Sequence, residues 1–109
     1  MKRLSDKEII NELSLLNNWL LSDNQITKVY KLDSFMEVMS LANLVSDKSE
    51  QIDHHPKMII DFNQIEFIIT THSEGGITNL DLLLASFIEE TYNESVSYTH
   101  LTLPTNTTV

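Results

Sequence analysis

Between Glu50 and Asp81 this 109-residue chain carries His54, His55 and His72 together with two further groups that could orient them, Glu50 and Asp81. Pro56 follows the histidine pair, Phe62 lies six residues beyond it, and Gly75-Gly76-Ile77-Thr78 leads up to Asp81. An unperturbed imidazole titrates near 6.5 (roughly), so it can both give and take protons at neutral pH. A carboxylate bonded to one ring nitrogen orients the ring and fixes its tautomer. This composition suits general acid–base chemistry. Each residue also has an ordinary role. His72 ends a strand-like run and could simply be a satisfied polar residue. Asp81 fits the third position of a helix capping box. Glu50 near a helix C-terminus could be a solvated charge, slightly unfavourable against the helix dipole. As a set, the spacing outweighs these separate readings.

Other chemistries fit less well. His54, His55, His72 and a carboxylate could bind zinc. Proline, however, pushes His55 out of the helical region, and neighbours on extended backbone point to opposite sides. His54 and His55 therefore chelate one ion poorly and are expected to do different jobs, and no His-x-x-x-His pair exists. Cysteine is absent, which removes thiolate ligands, thiol nucleophiles and disulfides. No Gly-x-Ser-x-Gly elbow occurs, and Gly75 and Gly76 are the only glycines, too few for a phosphate-cradling loop. The net charge of −9, with 7 Lys+Arg against 16 Asp+Glu, disfavours direct nucleic-acid binding, which draws on clustered basic residues.

The composition, 41% hydrophobic and 21% charged, is that of one globular domain. No apolar run is long enough to span a bilayer. The start, Met1-Lys2-Arg3-Leu4-Ser5-Asp6, turns acidic before any apolar stretch, so no signal peptide is expected. A cytoplasmic protein without membrane partners is the expectation.

The elements that must hold these residues can be read from caps and periodicity. Ser5-Asp6-Lys7-Glu8 is a capping box, and Ile9, Ile10, Leu13 and Leu16 continue a helix over 6–16, ended by Asn17-Asn18. Residues 19–22 and 25–32 read as a hairpin around Ser22-Asp23-Asn24, with Ile26, Lys28, Tyr30 and Leu32 on one face. A second box, Ser34-Phe35-Met36-Glu37, opens a helix over 35–49 with Phe35, Val38, Met39, Leu41, Ala42 and Val45 as its apolar stripe. Met58–Phe62 and Gln64–Thr71 read as a second hairpin turning at Asn63-Gln64, with Ile65, Phe67 and Ile69 on one face. Thr78-Asn79-Leu80-Asp81 caps a last helix carrying Leu82, Leu83, Ala85, Phe87 and Ile88 to about Asn93. The order α-ββ-α-ββ-α predicts an α+β fold, a four-stranded antiparallel sheet with three helices packed on one face. Residues 1–94 form the domain. Residues 95–109 hold no charge after Glu94, and 96–101 spell Val-Ser-Tyr-Thr-His-Leu, one frame of a transposon-end sequencing adapter. This tail is expected to be disordered read-through, and His100 is set aside with it.

The pattern Glu50-x-x-x-His54-His55-Pro56, Phe62, His72, Asp81 resembles the signature of the pterin-4a-carbinolamine dehydratases, also known as dimerisation cofactors of a hepatocyte homeodomain factor. Trp19, Thr71-His72, Gly75-Gly76-Ile77-Thr78 and Phe87-Ile88-Glu89 agree with it, and the resemblance covers about residues 4–93. It implies dehydration of 4a-hydroxytetrahydrobiopterin to quinonoid dihydropterin and water, in tetrahydrobiopterin recycling, without metal or cofactor. It implies His54 and His72 as the acid–base pair, His55 as a ring-positioning residue, and Glu50, Asp81, Phe62 and Thr71 as substrate-binding or supporting groups. Which histidine is acid and which is base stays open. Met58 stands where the family usually has an aromatic residue, Phe62 where Tyr is common, and Asn18 where Gly precedes the tryptophan. The resemblance also implies a homodimer or homotetramer. A pterin-binding protein without turnover, or a module that stabilises a transcription factor's dimer, is the alternative.

Overall fold

The computed structural model describes residues 2–16 and 18–102. Helix α1 (Asp6–Leu13) starts at the Ser5 box: Glu8 N donates to Ser5 Oγ at 3.2 Å, and Ser5 N donates to Glu8 Oε1 at 2.8 Å. It stops at Leu13 rather than at residue 16, because Leu15 N and Leu16 N bond back only three residues, to Glu12 O and Leu13 O. Of the expected Asn17-Asn18 stop, Asn17 lies outside the described residues, and Asn18 is left-handed at φ 62°.

Strands β1 (Leu20–Ser22) and β2 (Gln25–Lys31) join through Asp23 and Asn24, both left-handed at φ 52° and 62°. That geometry matches the twist of a two-residue hairpin. Helix α2 (Phe35–Ile52) runs three residues beyond the expected 49. The added turn, Glu50, Gln51 and Ile52, holds no helix breaker and ends with Ile52 packed against the core, while the Ser46 and Ser49 hydroxyls bond back to Ala42 O and Val45 O. Asp53 closes it in the left-handed conformation at φ 53°, with His54 N donating to Ser49 O at 3.0 Å.

Strands β3 (Lys57–Asp61) and β4 (Gln64–Ile69) pair as a hairpin. Its turn falls at Phe62-Asn63, one residue earlier than expected, because Phe62 takes φ 51°, uncommon for an aromatic residue. Beyond Ile69 the chain leaves the ladder and Thr71 pairs only with Gly76. Helix α3 (Asn79–Thr102) passes the expected stop at Asn93, since no Gly or Pro interrupts 94–102. Residues 103–109 of the expected tail lie outside the described residues.

The sheet order is β1-β2-β4-β3, all antiparallel, so β2 against β4 welds the two hairpins into one sheet. Ile26 and Tyr30 of β2 and Ile65, Phe67 and Ile69 of β4 are buried on one face. The three helices cover that face with Ile9 and Leu13, with Val38, Leu41, Ala42 and Val45, and with Leu82, Leu84, Ala85 and Ile88. The expected stripes change on two helices. Phe35 is exposed, and on α3 Leu84 and Glu89 point inward while Leu83 is exposed and Phe87 half-buried. Both corrections follow from the helix phase, which tertiary packing rather than hydrophobicity selects when apolar residues occur in runs. No described helix is long and apolar enough to cross a membrane.

Candidate functional site

Register brings the segment of His54 and His55 and the segment of His72 to the same end of the sheet. Lys57 pairs with Ile68 at the open end of the β3–β4 hairpin. The chain before Lys57 (Pro56, His55, His54) therefore runs beside the chain after Ile68 (Thr70, Thr71, His72). The left-handed Asp53 aims the exit of α2 into this end of the sheet. The Thr71–Gly76 bridge then folds the chain back so that α3 begins there too, bringing Asp81 with it.

Asp81 is the hub. Its side chain is 0% exposed, and its Oδ1 lies 2.5 Å from His54 Nε2. Its Oδ2 accepts from Thr71 Oγ1 at 2.6 Å and from Thr78 N at 2.8 Å, with Thr78 Oγ1 at 3.4 Å. The two threonine hydroxyls also meet at 3.0 Å. The capping role and the histidine-orienting role of Asp81 are therefore not alternatives: one oxygen caps α3 and the other faces the imidazole. An ionised carboxylate accepts a proton donated by Nε2 of His54, and that tautomer leaves Nδ1 as the acceptor nitrogen of the ring. The His54 side chain is 11% exposed, enough to reach solvent while its partner is sealed off.

His55 goes the other way, as extended backbone requires. Its Nε2 lies 2.5 Å from Glu50 Oε2, with side chains 53% and 77% exposed. Glu50 sits near the last turn of α2, so the pair bridges helix end and strand start across the Asp53 cap. His72 is exposed and opens a 3-10 turn, His72–Glu74, closed by Gly75 at φ 71° with Gly75 N donating to His72 O at 3.1 Å. It follows Thr71 directly, and Thr71 is anchored on Asp81.

Of the residues singled out from sequence, His54, Asp81 and Thr71 form one hydrogen-bonded set, with His72 adjoining it in the chain and the His55–Glu50 pair beside it. Phe62 is not in that group. It occupies the closed end of the hairpin, 68% exposed, separated from Pro56 by the five residues of β3, roughly 17 Å of strand. Met58 is half-buried against the core. Among the described residues no three His, Asp or Glu side chains gather as metal ligands would.

Sequence reasoning passed over two features. Thr78 supplies two donors to Asp81, and its signal was the capping motif itself. The second is a polar network under α3. Trp19 Nε1 donates to Tyr30 Oη at 3.1 Å, Tyr30 Oη donates to Glu89 Oε1 at 2.5 Å, and Lys28 Nζ donates to the same oxygen at 2.8 Å. Its sequence signal was Lys28 on the inward register of β2, between Ile26 and Tyr30. Burial first, then the hydrogen bond to Glu89 and its charge, push the Tyr30 hydroxyl well above its ordinary 10.0. Burial pushes the Glu89 carboxyl up, but the hydrogen bonds from Lys28 and Tyr30 with the lysine's charge outweigh it and hold the group below 4.5.

With this geometry established, comparison with known proteins gives a consistent result. The profile of the family "Pterin 4 alpha carbinolamine dehydratase" matches residues 2–91. A protein of Sulfurisphaera tokodaii provisionally named pterin-4-alpha-carbinolamine dehydratase is 39% identical over 90 residues, covering 83% of this chain and 97% of its own length. A Metallosphaera sedula protein with the same provisional name is 37% identical, covering 83% and 94%. A crystal structure described as a transcriptional coactivator/pterin dehydratase from Brucella melitensis superimposes with a TM-score of 0.79 at 28% identity, covering 82% of this chain and 97% of that one. The chain belongs to the pterin-4a-carbinolamine dehydratase family.

Proposed function

We propose that the protein is a 4a-hydroxytetrahydrobiopterin dehydratase, a hydro-lyase that converts pterin-4a-carbinolamine to quinonoid dihydropterin and water in tetrahydrobiopterin recycling. The observation that carries this reading is the His54–Asp81 pair, a partly exposed imidazole backed by a fully buried carboxylate, at the sheet end that also holds His72. Hydroxide is a poor leaving group from C4a. An acid must protonate it, so that the C4a–O bond breaks with release of water, while a base removes the N5 proton and C4a=N5 forms. Two imidazoles in opposite protonation states supply that pair, and neither transfer needs a metal. His54 reacts through Nδ1, its Nε2 being held by Asp81, and His72 is its counterpart. Glu50 fixes the His55 ring at the edge of the site, where it positions the pterin. Thr71 and Thr78 hold Asp81, and Phe62 lies outside this group within one protomer.

Residues 1–94 constitute the working domain, which the family match ending at residue 91 supports. The edge strand β3, with Ile59 and Ile60 exposed, supports a homodimer or homotetramer, checked by sedimentation. The absence of cysteine and the charge of −9 support a cytoplasmic protein acting on free pterin rather than on nucleic acid or membrane. Stopped-flow measurement of 4a-hydroxytetrahydropterin dehydration by the full chain, with and without chelator, tests the reading. Rapid turnover indifferent to chelator supports it, and a variant ending at residue 94 keeps that rate. Folded protein giving no acceleration over the spontaneous reaction rejects it. That result would favour the pterin-binding or transcription-factor reading, a role that the Brucella protein's description as a coactivator makes worth naming.

A further inference from the structure

The loop bearing His72 is held from outside by the N-terminal segment, and the contact is specific. Leu4 N donates to Ile77 O at 2.7 Å, laying residues 2–5 alongside the loop. The Arg3 side chain then crosses Gly76 so closely that a Cβ built there would come within 2.5 Å of Arg3 Nε and 3.1 Å of Cδ. Its guanidinium continues to the β1–β2 turn, where Nη2 donates to Asn24 Oδ1 at 3.0 Å. Asn24 also receives the other side of the loop, because Thr70 Oγ1 donates to Asn24 O at 2.7 Å. The segment Thr70–Ile77 is thereby clamped at three points: Thr70 on Asn24, Gly76 under Arg3, Ile77 on Leu4. Gly76, the residue that Arg3 crosses, also makes the internal bonds of the loop, Thr71 N to Gly76 O at 3.0 Å and Gly76 N to Thr71 O at 3.3 Å.

From this geometry we infer that Arg3 is a positioning residue for His72, and that Gly76 lacks a side chain so that Arg3 can lie across it. Backbone conformation does not explain Gly76: only Gly75 among the glycines has positive φ. What a side chain at Gly76 meets is the arginine itself, a flexible group that can be pushed aside. Gly76→Ala therefore unseats Arg3 while leaving it in the chain, and Arg3→Ala removes it while leaving Gly76. Two different substitutions break one contact. Gly75→Ala is the contrast: its Cβ meets nothing within 4 Å and instead strains a left-handed residue. As a positioning device for His72 the clamp rests on the proposed acid–base role of that residue, but its mechanical part can be read without turnover.

The experiment uses the full chain with amide hydrogen exchange followed by NMR, alongside stopped-flow kinetics. In both Arg3→Ala and Gly76→Ala the amides of Thr71, Gly75 and Gly76 are expected to exchange on the order of 10-fold faster, while the β2–β4 ladder keeps its protection. General destabilisation would instead speed both sets together. Turnover is expected to fall roughly 3- to 10-fold with KM within about twofold, because misplacing His72 affects the proton transfer rather than pterin binding. Arg3→Lys, which keeps the stem across Gly76 but loses the fork to Asn24, should fall between, and millimolar guanidinium should partly restore Arg3→Ala but not Gly76→Ala. Wild-type loop exchange in both variants overturns the clamp. Faster loop exchange with unchanged turnover overturns the positioning of His72 while leaving the proposed dehydratase intact. A wild-type protein without dehydratase activity defeats the proposed function instead, and the exchange pattern still decides the clamp.

Discussion

Helix α3 buries two carboxylates two turns apart, Asp81 at its start and Glu89 in its middle, and they serve opposite purposes. Glu89 is answered by the Lys28 ammonium and by Tyr30, and the network is closed by Trp19. The Lys28 side chain also lies 4.5 Å from the Tyr30 ring centre, adding an aromatic contact for the cation. Glu89 is held below its ordinary range and Tyr30 above its own, so both move away from neutral pH. Asp81 is answered by two hydroxyls, one backbone N–H and one imidazole that reaches solvent. In the proposed reaction a carboxylate of this kind serves by holding and orienting the imidazole. Glu89 locks helix to sheet; Asp81 presents a histidine.

This contrast can be broken experimentally. On turnover, the largest effects are expected from the imidazoles of the proposed acid–base pair. His54→Ala and His72→Ala should each lower kcat on the order of 10²-fold or more, with the folded state retained. Wild-type turnover in His72→Ala would remove it from the pair. Next comes Asp81→Asn, whose side-chain oxygen can still accept from Thr78 N and so preserve the cap of α3. The His54 ring, however, loses its anionic partner and fixed tautomer, and kcat should drop roughly 10-fold or more while thermal stability changes little. His55→Ala, at the exposed pair with Glu50, should act on KM, raising it several-fold with kcat within about threefold.

Glu89→Gln should leave kcat per folded molecule nearly unchanged, yet it should cost stability. Removing one partner leaves Lys28 charged and almost wholly enclosed, a loss of about 3 kcal/mol by urea titration. A large kcat loss at constant stability would erase the distinction between the two carboxylates. The same network sets a pH dependence. Because Glu89 is held below 4.5 in the folded protein, the stability it contributes is present above the unfolded value and is lost as pH falls through the folded one. Because Tyr30 is raised above 10.0, its contribution is present below that value and is lost as pH climbs past it. Urea midpoints should therefore decline below about pH 4.5 and again above about pH 10, and Glu89→Gln should flatten the acid limb most.

Much of this architecture was legible from local signals. The three capping motifs at Ser5, Ser34 and Thr78 marked the helix starts, since a side-chain oxygen followed three residues later by Glu or Asp satisfies donors that the helix cannot. The alternation at Ile65, Phe67 and Ile69 was enough by itself to name the inward face of β4. The opposed directions of His54 and His55 followed from Pro56 and extended backbone, and their separate carboxylate partners agree with it. Stops were read less well. Helix α2 outran its expected end because Ile52 still packs on the core and the left-handed stop falls at Asp53, and the hairpin turn fell on Phe62, whose left-handed conformation no propensity would suggest.

Other features depended on contacts between residues far apart in the chain. The β2–β4 pairing, the meeting of His54 with Asp81, the Lys28–Glu89 bond and the Arg3 clamp each join segments separated by long stretches of sequence. Caps, turns and periodicity arise from bonds within a few residues, so residue order alone suffices to read them. Pairing across the sheet, and the phase at which a helix is buried, instead depend on which packing leaves the fewest unsatisfied buried groups. Among the described residues no buried side-chain nitrogen or oxygen lacks a partner. That condition holds only for the assembled molecule, and it is why Lys28 and Glu89 find each other inside the core.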